Sequence, residues 1–265
     1  MQWVTVFAKL LDPYDLKARL FPGLLVLLPA IVCLLLLYGT QHPLVVALSS
    51  VLATCGGPYL LASFVRTWGQ RAQARLNAKW GGQPSTIMLR HKDCRLPQQT
   101  KQRYHSLVTS KLDIAMPTAQ DEQTEPQKAD QAYVAAADAL RPKTNDHKKF
   151  PLVFKELVAY GYNRNAHGAR WVGMLVALSA AVATMLQAGA LNYQQPYMKL
   201  EILALQHYLV LAVSLTFVLL WGFHFTGSTV EQAGYSYAKR LWEALEKIPK
   251  KPGADTKLRI TKQSA

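Results

Sequence analysis

Long uncharged runs of mainly apolar residues alternate with basic segments along this chain. No charged residue occurs at positions 21–40, 43–65 or 171–193, and positions 206–228 contain two histidines but no Lys, Arg, Asp or Glu. About 20 predominantly apolar residues are enough for a helix to cross the hydrocarbon core of a bilayer. The pattern therefore predicts an all-α membrane protein with four transmembrane helices in two hairpins and a mainly helical cytoplasmic domain inserted between them.

These runs divide the chain into five segments. Residues 1–20 are predicted to form an interfacial amphipathic helix, because Trp3, Phe7, Leu10 and Leu11 share one helical face. Residues 21–65 form the first transmembrane hairpin and residues 171–228 the second. Residues 66–170 are predicted to be a basic helical domain, followed after the second hairpin by a basic tail at residues 229–265.

The central segment contains recognisable helical patterns. Residues 98–112 are predicted to be helical, and Pro126 suits the first turn of a helix that runs to residue 140 with an apolar stripe along one face. The stripe consists of Ala129, Tyr133, Ala136, Ala137 and Leu140. Residues 85–96 have a short, mixed and partly β-like composition. Residues 118–125 are predicted to be an acidic link whose carboxylates, Asp121, Glu122 and Glu125, face solvent.

The distribution of positive charge predicts the topology. Residues 66–170 contain eighteen Lys or Arg and nine Asp or Glu, whereas the first link, residues 39–42, contains neither kind. Lys and Arg close to membrane helices remain on the cytoplasmic side. Both termini and the central domain are therefore predicted to lie in the cytoplasm.

The central domain carries more positive charge than topology requires. The run from Arg90 to Arg103 begins beyond the window of about 15–20 residues in which flanking charge sets orientation. Because Arg and Lys bind phosphates and aromatic rings stack on bases, these clusters are predicted to bind an anionic ligand. The candidates are Arg90, Lys92, Arg95, Lys101, Arg103, Tyr104 and His105 in one group, and Arg141, Lys143, Lys148 and Lys149 in another. A solvated face that contacts anionic lipid headgroups is the alternative.

Polar residues inside the predicted spans allow two interpretations. Thr184, Gln187, Ser214 and Thr216 line a pore if several subunits meet, or they form hydrogen bonds between helices of one subunit. The motif Gly56-Gly57-Pro58 in the second span is a candidate kink that acts as a gate, or a plain packing site.

The sequence lacks the patterns that enzymes and carriers of familiar classes need. The pair Gly81-Gly82 is not followed by the Lys of a phosphate-binding loop. The three cysteines, Cys33, Cys55 and Cys94, show no disulfide or metal-ligand spacing. No acidic residue occurs in any of the four apolar runs, which argues against a proton-coupled carrier. We therefore predict no enzymatic activity, no cofactor and no metal site.

Four strings of this sequence together resemble a known protein family. They are DPYDLKARLFPGLLVLLP, WGGQPSTIMLRHKD, TKQRYH and FKELVAYGYNRNAHG. The family consists of bacterial four-span membrane proteins associated with anti-phage defence, and the closest functional match is the membrane effector of Hailong-type systems. The resemblance spans most of the chain. The chain departs from it at Leu16, where the family has a basic residue, and at Tyr162-Asn163, where the family has an aromatic-Arg pair.

The resemblance implies a location, partners and a mode of action. It implies a multi-pass protein of the bacterial inner membrane that assembles as a homo-oligomer, such as a tetramer, into a ligand-controlled ion channel. In Hailong-type systems a nucleotidyltransferase makes short DNA oligomers that hold the channel shut until phage infection removes them. The implied partners are the bilayer, a single-stranded DNA oligomer or nucleotide, and a nucleotidyltransferase encoded nearby. The alternative is a membrane anchor without a channel, which recruits a soluble partner or binds anionic lipid.

Overall fold

The computed structural model describes residues 12–39, 43, 46, 47, 50, 56–191 and 200–249. All regular secondary structure in these residues is helical. The helices are α1 (Pro13–Tyr38, with a π-helical segment at Leu16–Leu20), α2 (Gly57–Trp80), α3 (Pro84–Leu89), α4 (Gln98–Leu112), α5 (Ala119–Thr124), α6 (Pro126–Lys143), α7 (Pro151–Gln187), α8 (Leu205–His224, with a π-helical segment at Leu220–His224) and α9 (Gly227–Glu243). Two short 3-10 turns lie at Leu200–Ile202 and Ala244–Lys247.

Three of these helices are long and apolar enough to cross a membrane, namely α1, α7 and α8. The prediction of a helical membrane protein is therefore confirmed. Residues 44, 45, 48, 49 and 51–55 of the predicted second span, and residues 194–199 of the second link, lie outside the described residues, so the layout of four spans in two hairpins stays a prediction. Residues 1–11 of the predicted interfacial helix, which include Trp3, Phe7, Leu10 and Leu11, also lie outside them, as does Cys55, whereas residues 13–20 form the start of α1.

The chain folds into two compact units. Unit 1 comprises Met1–Arg75 and Val158–Val230, and unit 2 comprises Leu76–Leu157 and Glu231–Ala265. Unit 2 thus combines most of the predicted cytoplasmic domain with residues of the predicted tail.

A cluster of small and aromatic residues forms the core of unit 1. On α7, Ala166, Ala169 and Ala177 are fully buried. Trp221 of α8 is also fully buried, and its ring centroid lies 4.8 Å from that of Phe225. The small side chains of α7 leave room for the indole, so helices of unit 1 pack closely without large residues on both sides.

Asn165 of α7 joins two other helices of unit 1. Its Nδ2 donates a hydrogen bond of 2.6 Å to the carbonyl oxygen of Ala18 in α1. Its side chain also lies directly against Gly69 of α2, where a Cβ would overlap Asn165 Oδ1. Because Asn165 is fully buried, its polar groups need hydrogen-bond partners, and its Oδ1 accepts from Arg164 Nε at 3.2 Å.

Two glycines of α7 bring the same helices close together. A Cβ on Gly161 would lie 2.5 Å from the Tyr14 hydroxyl of α1, and a Cβ on Gly168 would lie 2.5 Å from the Trp68 backbone of α2. These approaches require residues without side chains, as at other close helix crossings. The segment GYNRNAHG of α7 therefore forms the surface that packs against α1 and α2.

The core of unit 2 forms around α6. The predicted apolar stripe is confirmed, because Ala129, Tyr133, Ala136, Ala137 and Leu140 are all buried. Trp242 of α9 is fully buried as well, and its Nε1 donates a hydrogen bond of 3.1 Å to the carbonyl oxygen of Ser85. Residues close to the end of the described chain thus complete the core of unit 2.

Two segments of unit 2 form helices that the sequence pattern did not predict. Pro84–Leu89 is a helix, α3, and all six of its residues are buried, so the β-like composition of this stretch reflects burial. The acidic link is also a helix, α5. Thr118 caps it, since the Thr118 side chain accepts from the Asp121 backbone N–H and the Asp121 side chain accepts from the Thr118 backbone N–H.

Candidate functional site

Arg90 belongs to the interior of unit 2. Only 8% of its surface is exposed. Its Nε and a terminal nitrogen donate to the two carboxylate oxygens of Asp130 at 2.8 and 2.7 Å, and the terminal nitrogen also donates to the Gly81 carbonyl oxygen at 2.6 Å. This two-pronged ion pair occupies the guanidinium. Arg90 is therefore removed from the predicted ligand surface in this structure.

Lys101 is buried even more deeply, with 1% of its surface exposed. Its Nζ donates to the carbonyl oxygens of Asp93 at 2.5 Å and His91 at 3.1 Å. A buried ammonium needs such acceptors, and here they come from the loop between α3 and α4. Lys101 therefore holds that loop and does not face solvent.

The two predicted stacking rings are also buried. Tyr104 is 5% exposed and His105 is 9% exposed. A ring nitrogen of His105 lies 2.9 Å from the Leu89 carbonyl oxygen, and the His91 ring meets that of His105 edge-on with centroids 4.8 Å apart. Burial lowers the pKa of His105 and raises that of Tyr104. Both rings are held by the core of unit 2, which corrects the prediction that they offer faces to a base.

Glu122 lies at the centre of a buried polar network that the sequence did not reveal. Its carboxylate accepts hydrogen bonds from the backbone N–H of His91 at 2.6 Å, the backbone N–H of Lys92 at 3.3 Å and the Tyr133 hydroxyl at 2.8 Å. Burial opposes ionisation, but these three bonds lower the pKa of Glu122. Burial and the bond to Glu122 raise the pKa of Tyr133. The prediction that Glu122 faces solvent is wrong, because Glu122 ties α5 to the loop after α3.

Three cations of the first group remain at the surface. Arg95 pairs with Asp93 at 2.5 Å, and its guanidinium lies 4.0 Å from the centroid of the Tyr235 ring. Arg103 pairs with Glu246 at 2.9 Å. Lys92 is exposed, and the described residues give it no ion pair. Neighbouring carboxylates thus partly neutralise this group.

The second basic group differs from the first. Arg141 is held by Asp138, by the Gln83 side chain at 2.6 Å and by Ser85 Oγ at 3.3 Å. The three lysines of this group, Lys143, Lys148 and Lys149, are exposed on residues 143–150, which we name the lysine loop.

The Asp146 side chain forms hydrogen bonds with the backbone of the lysine loop. Its Oδ1 accepts hydrogen bonds from the backbone N–H groups of Lys148 at 2.9 Å and Lys149 at 3.3 Å. These bonds lower the pKa of Asp146. Asp146 is itself exposed, and its Oδ2 lies 3.8 Å from Lys149 Nζ, so Lys149 is partly neutralised while the described residues give Lys143 and Lys148 no ion pair.

Two of the four candidate pore residues bond to other helices of unit 1 or lie close to them. Thr184 is fully buried, and its Oγ1 donates to the Ala180 carbonyl oxygen at 2.7 Å and lies 3.6 Å from Cys33 Sγ. Gln187 Oε1 lies 3.0 Å from His207 Nε2. These contacts join α7 to α1 and to α8 within unit 1.

The other two candidates occupy different environments on α8. Ser214 is buried, and its Oγ has no hydrogen-bond partner among the described residues. Thr216 is exposed and donates to the carbonyl oxygen of Ala212 one turn earlier. Thr216 therefore faces away from the core of unit 1.

The predicted kink coincides with the start of a helix. Gly56 has φ of +70°, which lies outside the helical region, and α2 begins at Gly57. Pro58 occupies the first turn, where its missing N–H costs no hydrogen bond. Within the described residues the motif therefore begins a helix, and does not bend one.

Among the described residues, no group of three or more His, Cys, Asp or Glu side chains is placed to hold a metal ion. Comparison of the chain with protein-family models, with curated proteins and with solved structures gives no match.

Proposed function

We propose that this chain is an oligomeric membrane effector of bacterial anti-phage defence. Unit 2 binds a nucleotide or a short single-stranded oligonucleotide, and the spans of several copies form a ligand-controlled pore in the inner membrane. The three apolar helices support the membrane location. The resemblance to Hailong-type membrane effectors supports the defence role and the oligonucleotide, with a nucleotidyltransferase as its source.

The lysine loop is the observation that carries the ligand-binding part of the proposal. Lys143, Lys148 and Lys149 are exposed, and Asp146 accepts from the backbone of the loop through Oδ1 while its Oδ2 lies 3.8 Å from Lys149 Nζ. A loop whose backbone is held by hydrogen bonds binds phosphate at a smaller entropic cost than a flexible loop does. The buried residues Arg90 and Lys101 stabilise unit 2 and leave this loop as the main anion site.

An oligomer would explain why the ligand is an oligonucleotide. Each subunit contributes one lysine loop, and a strand with several phosphates contacts more than one loop. The second contact then forms at a high effective concentration, so a longer strand binds more tightly than a mononucleotide. The ligand controls the pore by binding more tightly to one of its two states.

The test is binding of fluorescent single-stranded oligonucleotides to the full-length protein in detergent, with length, base and salt varied. We compare the wild type with a triple variant, Lys143→Gln, Lys148→Gln and Lys149→Gln. The matched control replaces three other exposed lysines, Lys79→Gln, Lys128→Gln and Lys239→Gln, so that the net charge is the same.

We expect saturable binding with a length preference at near-physiological salt, and at least about a tenfold loss of affinity in the lysine-loop variant only. Equal losses in the two triple variants would contradict the proposal. So would binding that heparin displaces equally well and that salt abolishes, because that behaviour reflects counterion release alone.

A second candidate function is a membrane anchor without a pore. The contacts Gln187–His207 and Thr184–Cys33 favour it, because polar groups that bond within one chain are not free to line an aqueous path. Such an anchor would present unit 2 to a soluble partner. Ion flux through liposomes that contain the purified protein distinguishes the two functions, since an anchor leaves the bilayer impermeable with or without the oligonucleotide.

A further inference from the structure

A small pocket in unit 1 lies between α1 and α2. Its volume is about 100 Å³, and it is lined by Asp15, Arg19, Tyr59, Ala62, Ser63 and Arg66. Pockets for drug-sized ligands measure about 300–1,000 Å³. This pocket therefore suits one compact polar group and is too small for a nucleotide.

The pocket carries one positive charge in excess. Arg19 is paired with Asp15 at 2.5 Å, so these two charges cancel. Arg19 Nε is nevertheless buried and donates to no acceptor among the described residues. Arg66 is exposed, and the same residues give it no ion pair. A monoanion with several acceptor oxygens would neutralise the excess charge and satisfy the buried donor.

Buried contacts fix the two helices that carry these arginines. Next to Arg19, the Ala18 carbonyl oxygen accepts from Asn165 Nδ2 at 2.6 Å. One turn beyond Arg66, Gly69 lies directly against the same Asn165 side chain. Both walls of the pocket are therefore held by a single residue of α7, so the site exists before a ligand arrives.

The position of the pocket along the chain indicates the source of the anion. Arg19 lies two residues before the uncharged run at 21–40, and Arg66 directly follows the run at 43–65. Arginines at such positions lie at the level of the lipid headgroups on the cytoplasmic side. Phosphodiester groups with one negative charge are abundant at that level.

We propose that this pocket binds the phosphate of an anionic phospholipid of the cytoplasmic leaflet. The Arg66 guanidinium and Arg19 Nε donate to the phosphate oxygens, and the hydroxyls of Ser63 and Tyr59 complete the site. The site is separate from the lysine loop and holds whether or not the protein binds an oligonucleotide.

The test uses the full-length protein in a neutral detergent. Its thermal unfolding midpoint is followed while short-chain phosphatidylglycerol, short-chain phosphatidylcholine or inorganic phosphate is added. Arg66→Gln removes the exposed donor without disturbing the buried pair of Arg19. Arg71→Gln is the matched control, because Arg71 is an exposed arginine of the same helix that does not line the pocket.

We expect phosphatidylglycerol to raise the midpoint saturably in the wild type and in Arg71→Gln. Arg66→Gln should need at least about tenfold more phosphatidylglycerol for the same shift. Tyr59→Phe, a change at a side chain that is 71% exposed, should also weaken the response without unfolding the protein.

Three results would overturn the proposal. The first is an equal response of the wild type and Arg66→Gln to phosphatidylglycerol, and the second is an equal response of the wild type to both lipids. The third is an equal effect of inorganic phosphate at the same phosphate concentration, which would assign the site to a soluble anion and overturn its assignment to lipid.

Discussion

The side chain of Asn165 fills the space that a Cβ on Gly69 would need, so the two residues fix the distance between α7 and α2. Asn165 uses its amide nitrogen at the same time for the carbonyl oxygen of Ala18 on α1. One buried amide therefore sets the spacing of three helices in unit 1.

Gly69→Ala should destabilise unit 1. The added methyl group would overlap Asn165 Oδ1 and lie 3.0 Å from Asn165 Cα, so the helices must separate or Asn165 must lose its bond to Ala18. We expect a loss of about 1–3 kcal/mol, measured as a lower thermal unfolding midpoint in detergent. Gly222→Ala is the control, because the nearest atom to its Cβ would be Met174 Cε at an ordinary 3.7 Å. Equal midpoints for the two variants would contradict this role of Asn165.

Asp130→Ala should destabilise unit 2 more than the loss of a surface ion pair does. The substitution leaves the buried Arg90 guanidinium without its two-pronged partner, which costs roughly 2–4 kcal/mol. Asp138→Ala removes the partner of Arg141 at a more exposed position and should cost less than about 1 kcal/mol. The measurement is resistance of the full-length protein to urea and to limited proteolysis within residues 76–157. A similar loss in both variants would mean that the Arg90 pair has no special structural role.

Mild acid should weaken unit 2 through His105. Burial holds the folded-state pKa of His105 below its ordinary value of 6.5, and the nearby His91 and Lys101 act in the same direction. The unfolded state therefore takes up the proton first, and stability falls as the pH drops below about 6.5 towards the folded-state pKa. Unfolding midpoints measured from pH 7.5 down to about 5.5 should decline in the wild type. The variant His105→Gln should show a flatter profile, and parallel profiles would contradict this assignment.

Glu122 should add a second loss of stability at lower pH. Its folded-state pKa is below the ordinary value of 4.5, so the unfolded state binds a proton more readily than the folded state does. The stability that Glu122 contributes is complete above about pH 4.5 and is lost as the pH falls towards its folded-state pKa. Glu122→Gln keeps the side-chain volume and removes this titration. The midpoint of that variant should be lower at pH 7 and less sensitive below pH 4.5, whereas an unchanged acid profile would show that another carboxylate controls it.

Gln187→Leu separates the two interpretations of the polar residues in the spans. If Gln187 serves only to bond His207, the variant loses about 0.5–2 kcal/mol of stability and liposome flux does not change. If assembled copies place Gln187 along a pore, the flux per protein changes as well. Thr216→Val is the comparison, since Thr216 faces outward on α8 and bonds only its own helix among the described residues.

Helices could be predicted where the hydrophobic pattern of a single segment is sufficient to identify them. The apolar stripe on α6 has helical spacing, so Tyr133 and Leu140 could be assigned to a core without knowing their partners. The apolar runs likewise predicted α1, α7 and α8 from length and hydropathy alone. The short helices α3 and α5 were not predicted, because a helix of six residues is too short to show a hydrophobic period and α5 buries only Glu122.

The candidate site was harder to predict because charge does not indicate burial. From the sequence alone Arg90 is assigned to the surface, because its ion-pair partner Asp130 lies forty residues later in the chain. Lys101 depends in the same way on two carbonyl groups of a loop. The capping pattern Thr118–Asp121 was the available signal for α5, and it would have placed Glu122 on a helix next to the apolar stripe.

The hydrogen bond between Trp242 and Ser85 joins residues that are 157 positions apart in the sequence. The ribosome makes the chain from its N-terminus, so α7 and α8 have been synthesised before Trp242 emerges. The core of unit 2 thus stays incomplete until α7 and α8 have been synthesised. A polypeptide whose translation stops before Trp242 therefore lacks a complete core in unit 2.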